Sequence, residues 1–337
     1  MDGQVQAQWR RPTDKRVERL DTERLLGGVS TILSGLSIMA SFILLNALVL
    51  FTVGATHVLG QSCPCGYQDS NGHVWREAIV STFTQNAGAL AAVAADWVVA
   101  TDLQVQGGTA TADIQYVTAN VFQHNDALGL KASAYDNSSS VKCAEIFTQR
   151  SDILYGSFRM QAQVPDVPGV VFGFFTYITE TQEQDIEFLS SDSDYYQHLY
   201  YTNQPGQLPN GNINTAAAKD VVVPGADFTT FGVHRFDWLP GNPPTLPPTT
   251  TYSYAGTNNG VTITSSTVIS TQVPTTPSEF ILNVWSNGDP NFSKGPPTAD
   301  AIATVQYVHL YFNSTSFSAS AFDTQCGAAH GVPPCSV

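Results

Sequence analysis

Two hydrophobic patterns divide the chain. Between Leu25 and Leu59 there is no Asp, Glu, Lys or Arg, and LSIMASFILLNALVLFTV (36–53) is almost wholly apolar. A bilayer is crossed by about 20 apolar residues, whereas the core of a cleaved signal peptide has roughly 7–15. The run predicts a membrane signal anchor over 25–59, with cleavage near residue 60 as the alternative. Beyond residue 66 the pattern changes. Short runs rich in Val, Thr, Tyr and Phe alternate with Gly, Pro, Asn and Asp turns. They are YGSFRMQAQV (155–164), GVVFGFFTYIT (169–179), QDIEFLS (184–190), YYQHLYYT (195–202), FGVHRFDW (231–238) and ATVQYVHLYF (303–312). This pattern predicts an all-β sandwich or barrel. NAGALAAVAADWVV (86–99) is expected to begin as a short helix, and LPGNPPTLPPTTT (239–251) to be a loop within one domain spanning 60–337.

One strand does not follow the ordinary pattern. Only 12% of residues are charged, yet TQEQDIEF (181–188) carries Glu183, Asp185 and Glu187. Side chains at i, i+2 and i+4 of a strand share a face. The three carboxylates therefore line one face, and Gln184, Ile186 and Phe188 the other. Like charges so placed repel, which costs stability unless something uses them. Retaining glycoside hydrolysis does, with a nucleophilic carboxylate and a proton-donating carboxylic acid about 5–5.5 Å apart. Cα atoms at i and i+4 of a straight strand are ~13 Å apart, so the two Glu side chains must lean together on a curved sheet. Asp185 between them is placed to hydrogen-bond one and, through its charge, to keep the other protonated. A solvated strand face and a calcium site are the other readings of this spacing, although calcium ligands usually come from loops.

Charge separates the same two parts of the chain. Residues 1–24 hold six basic and five acidic side chains, the remainder eight basic and 23 acidic, for a net charge of −14. The basic flank leaves 1–24 as a cytoplasmic tail and everything after residue 60 outside. An acidic body excludes nucleic acid and anionic membrane surfaces as partners and suits a neutral polymer. Sequons at Asn137, Asn291 and Asn313 all follow the apolar run, as lumenal exposure requires. Of the five cysteines, Cys326 is expected to close a short loop with Cys335, and Cys63 or Cys65 to reach Cys143, leaving one over. The CPC spacing does not suit zinc.

The text around the acids resembles glycoside hydrolase family 16, the concanavalin A-like glucanase group, whose motif is Glu-x-Asp-x-Glu. The resemblance rests on YGSFRMQAQVPDVPG, on GVVFGFFTYITETQEQDIEFLSSDSDYYQHLYYTNQPG, on FDWLPGN and on ILNVWSNGDPNFSKGPPTADAIATVQYVHLYFNST, in family order over about residues 140–320. The pieces look like those of the family's fungal secreted and membrane-anchored members. It implies a jelly-roll sandwich of two curved antiparallel sheets with the cleft on the concave face. It also implies Glu183 as nucleophile, Asp185 as assisting acid and Glu187 as acid/base. Phe175, Tyr177, Tyr200 and Trp285 match positions that meet sugar rings, with Asn287 beside Trp285 in a strand-end loop. Trp238 is assigned to the core, and His198 and His234 to structural roles.

The implied activity is endo-hydrolysis of β-1,3- or mixed β-1,3/1,4-glucan by a monomer anchored through its N-terminal segment. Glycosyl transfer to glucan or chitin and lectin-like wall binding are the alternatives. No cofactor or metal ligand set is implied, and a structural calcium ion is left open. Three departures from the family pattern bear on the subsites rather than the chemistry. Gln184 replaces an apolar residue, no Trp precedes Glu183, and TYSYAGTNNG stands where a hairpin ending in Asp-Gly is usual.

Overall fold

The computed structural model describes residues 63–84, 88–241 and 246–337. The expected tail (1–24) and membrane segment (25–59) lie outside the described residues. Within the described residues no helix is long and apolar enough to cross a membrane.

Two short strands, β1 (Tyr67–Gln68) and β2 (Val74–Trp75), precede β3 (Glu77–Thr82), helix α1 (Ala89–Asp96) and β4 (Trp97–Val99). Then follow β5 (Leu103–Gln104), β6 (Asp113–Tyr116), β7 (Val121–His124), β8 (Ala127–Ala132), β9 (Ser140–Thr148) and β10 (Ile153–Gln163). The middle of the chain holds β11 (Val171–Thr179), β12 (Gln182–Leu189), β13 (His198–Asn203), β14 (Ala218–Val222) and β15 (Gly232–Leu239). The remainder is β16 (Thr249–Asn258), β17 (Val261–Ile269), β18 (Glu279–Trp285), β19 (Ala301–Ser314), α2 (Ala319–Ala328) and β20 (Cys335–Ser336). The expected runs all became strands, and the described part of the expected helical stretch, from residue 88, forms α1 and turns into β4.

Two sheets stack as a sandwich. One has the order β14-β13-β12-β11-β18-β9-β6-β5 with β4 beside β9, and the other β17-β16-β15-β10-β19-β8-β7 with β3 beside β19. Pairing is antiparallel apart from β6 with β9 and, in a small third sheet, β1 with β20. The core between the sheets is aromatic. Phe174 lies 4.6 Å from Phe280 and 5.6 Å from Phe236 between ring centroids, and Phe236 lies 5.1 Å from Phe158. Trp238 is fully buried, as expected, and its indole N–H donates to the Pro274 carbonyl at 2.9 Å. Gln184 also points into this core. Its Oε1 accepts from Thr250 of the opposite sheet at 2.8 Å, so the polar substitution on the back of β12 is met by a polar partner.

The disulfides differ from expectation. Cys63 bonds Cys335 and Cys65 bonds Cys326, while Cys143 is free and buried. The parallel pairing of β1 with β20 brings Cys335 beside the 63–67 segment, and α2, which the sequence reading did not foresee, carries Cys326 to Cys65. Cys143 instead faces the core from β9, where burial pushes its thiol up to about 12. The expected Cys326–Cys335 loop does not form, because α2 carries Cys326 to Cys65 while β20 sets Cys335 beside the 63–67 segment.

Candidate active site

β12 is built from residues with poor strand propensity, yet it is central to its sheet. It is hydrogen-bonded to β11 on one side and β13 on the other, and this pairing overrides the propensity. Tyr177 sits opposite Glu183, Phe175 opposite Asp185 and Gly173 opposite Glu187. A register irregularity between Tyr177 and Thr179 falls next to Glu183, where a bulge can re-aim a side chain. Glycine is required at 173, because a Cβ there would meet Asn283 Oδ1 at 2.7 Å.

The three acids share a face, as the alternation predicts, but that face is not solvated. Glu183 is 6% exposed, Asp185 3% and Glu187 6%. Burial on this scale removes the solvated-face reading, since exposed acids would need no such cover. The two glutamates line a cavity of about 550 Å³, within the usual range for ligand pockets. Its other walls come from the β11–β12 hairpin (Glu180, Thr181), the loop after β13 (Gln204–Leu208, Pro209, Gly211, Asn214), Gln272 and Phe292.

Electrostatics separates the acids. Desolvation holds the Asp185 carboxyl well above its ordinary range, reinforced by the charge of Glu183 and a hydrogen bond with it, and opposed by a hydrogen bond from Gln204. Desolvation likewise holds Glu187 well above its ordinary range, with the charge of Asp185 adding to it. A buried acid kept protonated beside a carboxylate pair sharing a hydrogen bond is the environment of a proton donor next to a nucleophile.

The expected sugar-contacting residues fare unevenly. Phe175 lies on the acid face beside Asp185 and is 9% exposed. Tyr177 is half-buried at the hairpin end, and its hydroxyl donates to Glu180 at 3.3 Å. Tyr200, opposite Glu187 on β13, is 8% exposed and donates to Asp192 at 2.8 Å. Trp285 is on the acid face but buried, and the cavity wall is instead Phe292, stacked 5.9 Å from it. Asn287 braces the loop after β18. Its Nδ2 donates to Gln106 at 3.1 Å, and its Oδ1 accepts from the Asp289 N–H and the Ser293 hydroxyl, both at 3.0 Å.

His198 is held among carboxylates, 3.1 Å from Asp194, 3.7 Å from Asp192 and in contact with Asp220. His234 is fully buried among Phe188, Phe228 and Tyr254, where burial brings its pKa down to about 3.

Three residues escaped the sequence reading. Glu145 on β9 extends the acid face across the sheet, since it pairs with Asn283, Asn283 with Gly173, and Gly173 with Glu187. It is 3% exposed and accepts from Asn283 Nδ2 at 3.2 Å. Its signal was a single carboxylate within the apolar run CAEIF. Gln204 and Phe292 lie in loops whose side chains carry no period.

A family model for Glycosyl hydrolases family 16 matches residues 108–308. Among curated proteins, a beta-glucanase of Paenibacillus macerans is 29% identical over 165 residues, which is 47% of this chain and 58% of that protein. A beta-glucanase of Paenibacillus polymyxa is 29% identical over 138 residues, 39% of this chain and 48% of that protein. The chain thus spans about half the length of the curated relatives it matches. Among solved structures, a Bacillus licheniformis beta-glucanase aligns with a TM-score of 0.50 at 20% identity, covering 70% of this chain and 98% of that one. A prokaryotic beta-1,3-1,4-glucanase (lichenase) from a mouse hindgut metagenome gives 0.50 at 18%, covering 70% and 99%. These two are likenesses of fold. The extent of the family match, over a sandwich that presents Glu-x-Asp-x-Glu at a cavity, makes the chain a member of glycosyl hydrolase family 16.

Proposed function

We propose that the protein is a retaining, endo-acting glycoside hydrolase of β-1,3- or mixed β-1,3/1,4-glucan. The observation that carries this is the arrangement on β12. Asp185 shares a hydrogen bond with Glu183, while Glu187 is held above its ordinary range two residues further on. In the proposed cycle the Glu183 carboxylate attacks the anomeric carbon as Glu187 gives its proton to the departing glycosidic oxygen. Formation of the ester removes the charge of Glu183. Glu187, now a carboxylate, then takes a proton from water, whose oxygen attacks the same carbon and frees Glu183. The amides of Gln204, Gln207, Asn214 and Gln272 and the ring of Phe292 line the cavity without a cation, which suits a neutral sugar chain. The beta-glucanase relatives support a glucan.

The same reading makes residues 25–59 a membrane anchor of the fungal family type, or a signal cleaved near residue 60, with the catalytic domain outside the cytoplasm. Two disulfides support that compartment.

The test is product analysis on laminarin and lichenan together with azide rescue. Glu183→Gln should form no glycosyl-enzyme. Glu187→Gln should fail on glucan, still form the intermediate from an activated aryl glycoside, and be rescued by azide to the β-azide. Rescue of Glu183→Gln to an α-azide would exchange the two roles, and wild-type rates in both would end the glycosidase reading.

A further inference from the structure

Gln204 is the first residue after β13, and three hydrogen bonds fix it. Its main-chain N–H donates to the Glu183 carbonyl at 3.0 Å, tying the loop to the strand that carries the acids. Its side-chain Oε1 accepts from the Gly206 N–H at 2.8 Å. That contact settles which way the amide faces, because only the oxygen can accept. The Nε2 group is therefore left to donate to Asp185 Oδ2, at 3.0 Å. Besides burial, Glu183 on its own strand and Gln204 from the loop act on Asp185, and the charge of Asp185 in turn acts on Glu187 and on Tyr252 from the opposite sheet.

We infer that Gln204 is a positioning residue for the acids: its carboxamide holds Asp185 in the orientation that meets Glu183 and favours negative charge on that pair. The inference rests on the glycosidase reading for its kinetic meaning, though not for its geometry. A donor fixed by a backbone N–H cannot rotate to present its oxygen without losing that bond, so it stabilises the carboxylate more than the acid. Negative charge on Asp185 in turn raises Glu187, second to desolvation. Removing the donor should therefore act on both limbs of the pH profile. The Asp185–Glu183 pair would keep its proton to higher pH, raising the acid limb, and Glu187 would lose some of the charge that holds its proton, lowering the alkaline limb. A residue that merely shaped the loop would scale the profile without narrowing it.

The experiment compares full-length wild type, Gln204→Leu and the isosteric Gln204→Glu on soluble lichenan across pH 4–9, with thermal melts to establish that each is folded. A hydrogen bond to a charged group predicts about a tenfold loss of kcat/KM for Gln204→Leu, carried by kcat, and an acid limb raised by about one pH unit. Gln204→Glu, which sets an oxygen against Asp185, should raise it at least as far. In parallel, the side-chain carboxyl carbon of Asp185 is titrated by 13C NMR, assigned by its absence in Asp185→Asn, and its midpoint should move up in Gln204→Leu. If wild type cleaves glucan and both variants melt normally with unshifted limbs, Gln204 is a wall residue only. If wild type cleaves no glucan, the functional reading fails while the titration still decides: an unmoved Asp185 midpoint overturns the positioning role, and a raised one upholds it.

Discussion

Glu187→Gln should make the protein more stable at neutral pH while removing its activity. Glu187 is 6% exposed, and desolvation together with the charge of Asp185 holds its carboxyl above the ordinary value of 4.5. The sign follows from comparing the two states. Below pH 4.5 the group is protonated in both, and folding neither gains nor loses from it. As pH rises above that, the unfolded chain releases the proton first, so stability falls until the folded group also ionises. Each unit by which the folded value exceeds the unfolded one removes about 1.4 kcal/mol at pH values above both. Glutamine keeps the shape and has no proton to lose. The expected gain at pH 7 is on the order of 1–3 kcal/mol, a rise of a few degrees in Tm for a body of this size. Melting wild type and variant from pH 4 to 8 reads it directly. The difference should be near zero at pH 4 and grow as pH rises towards neutrality. A variant that melts below wild type at pH 7, or gains equally at both ends, would refute the reasoning.

Three further outcomes are expected. Asp185→Asn should keep more activity than Glu183→Gln, because it tunes rather than bonds, and should lower the alkaline limb by removing a charge beside Glu187; rates at several pH values check this. Phe236→Ala, which empties a site ringed by Phe158, Phe174, Phe280 and Tyr252, should cost about 3–5 kcal/mol by chemical denaturation. Of the sequons, Asn137 and Asn291 are exposed, whereas Asn313 is half-buried with its Oδ1 accepting from the Arg76 N–H at 3.3 Å. Asn137→Gln and Asn291→Gln should therefore each shift the protein on a gel, and Asn313→Gln should not.

The parts of the fold that were legible in sequence are those governed by period. GVVFGFFTYIT is a nearly continuous apolar run, as suits a central strand buried on both faces, whereas QDIEFL alternates because one face enters the aromatic core, so the shared face of Glu183, Asp185 and Glu187 could be read from the sequence. The extent of their burial could not, because it comes from the loop after β13 and from Phe292, which have no repeating pattern. Glu145 was hidden for a related reason. It joins the acid face through strand order, β12-β11-β18-β9, and single-strand alternation says nothing of which strands become neighbours. The cysteine pairing failed on the same ground, since contact between α2 and the start of β1 is set by the fold and not by separation along the chain. Trp285 and Asn287 were placed by their loop-like WSNG setting, but a polar loop end can brace itself as readily as it can meet a ligand.

The burial of the acids and the chemistry proposed for them have one cause. Water over β12 would screen Asp185 from Glu187 and let all three acids ionise, leaving no proton to give. Removing water raises Asp185 and Glu187 together, and a neutral Asp185 would leave the charge on Glu183 while losing its own hold on the Glu187 proton. Something must oppose desolvation at one acid and not at the other. The hydrogen bond from Gln204 opposes it at Asp185, although that carboxyl still stands above its ordinary range, while the causes acting on Glu187 both raise it. The loop that encloses the cavity therefore also carries the amide that distinguishes the two buried acids.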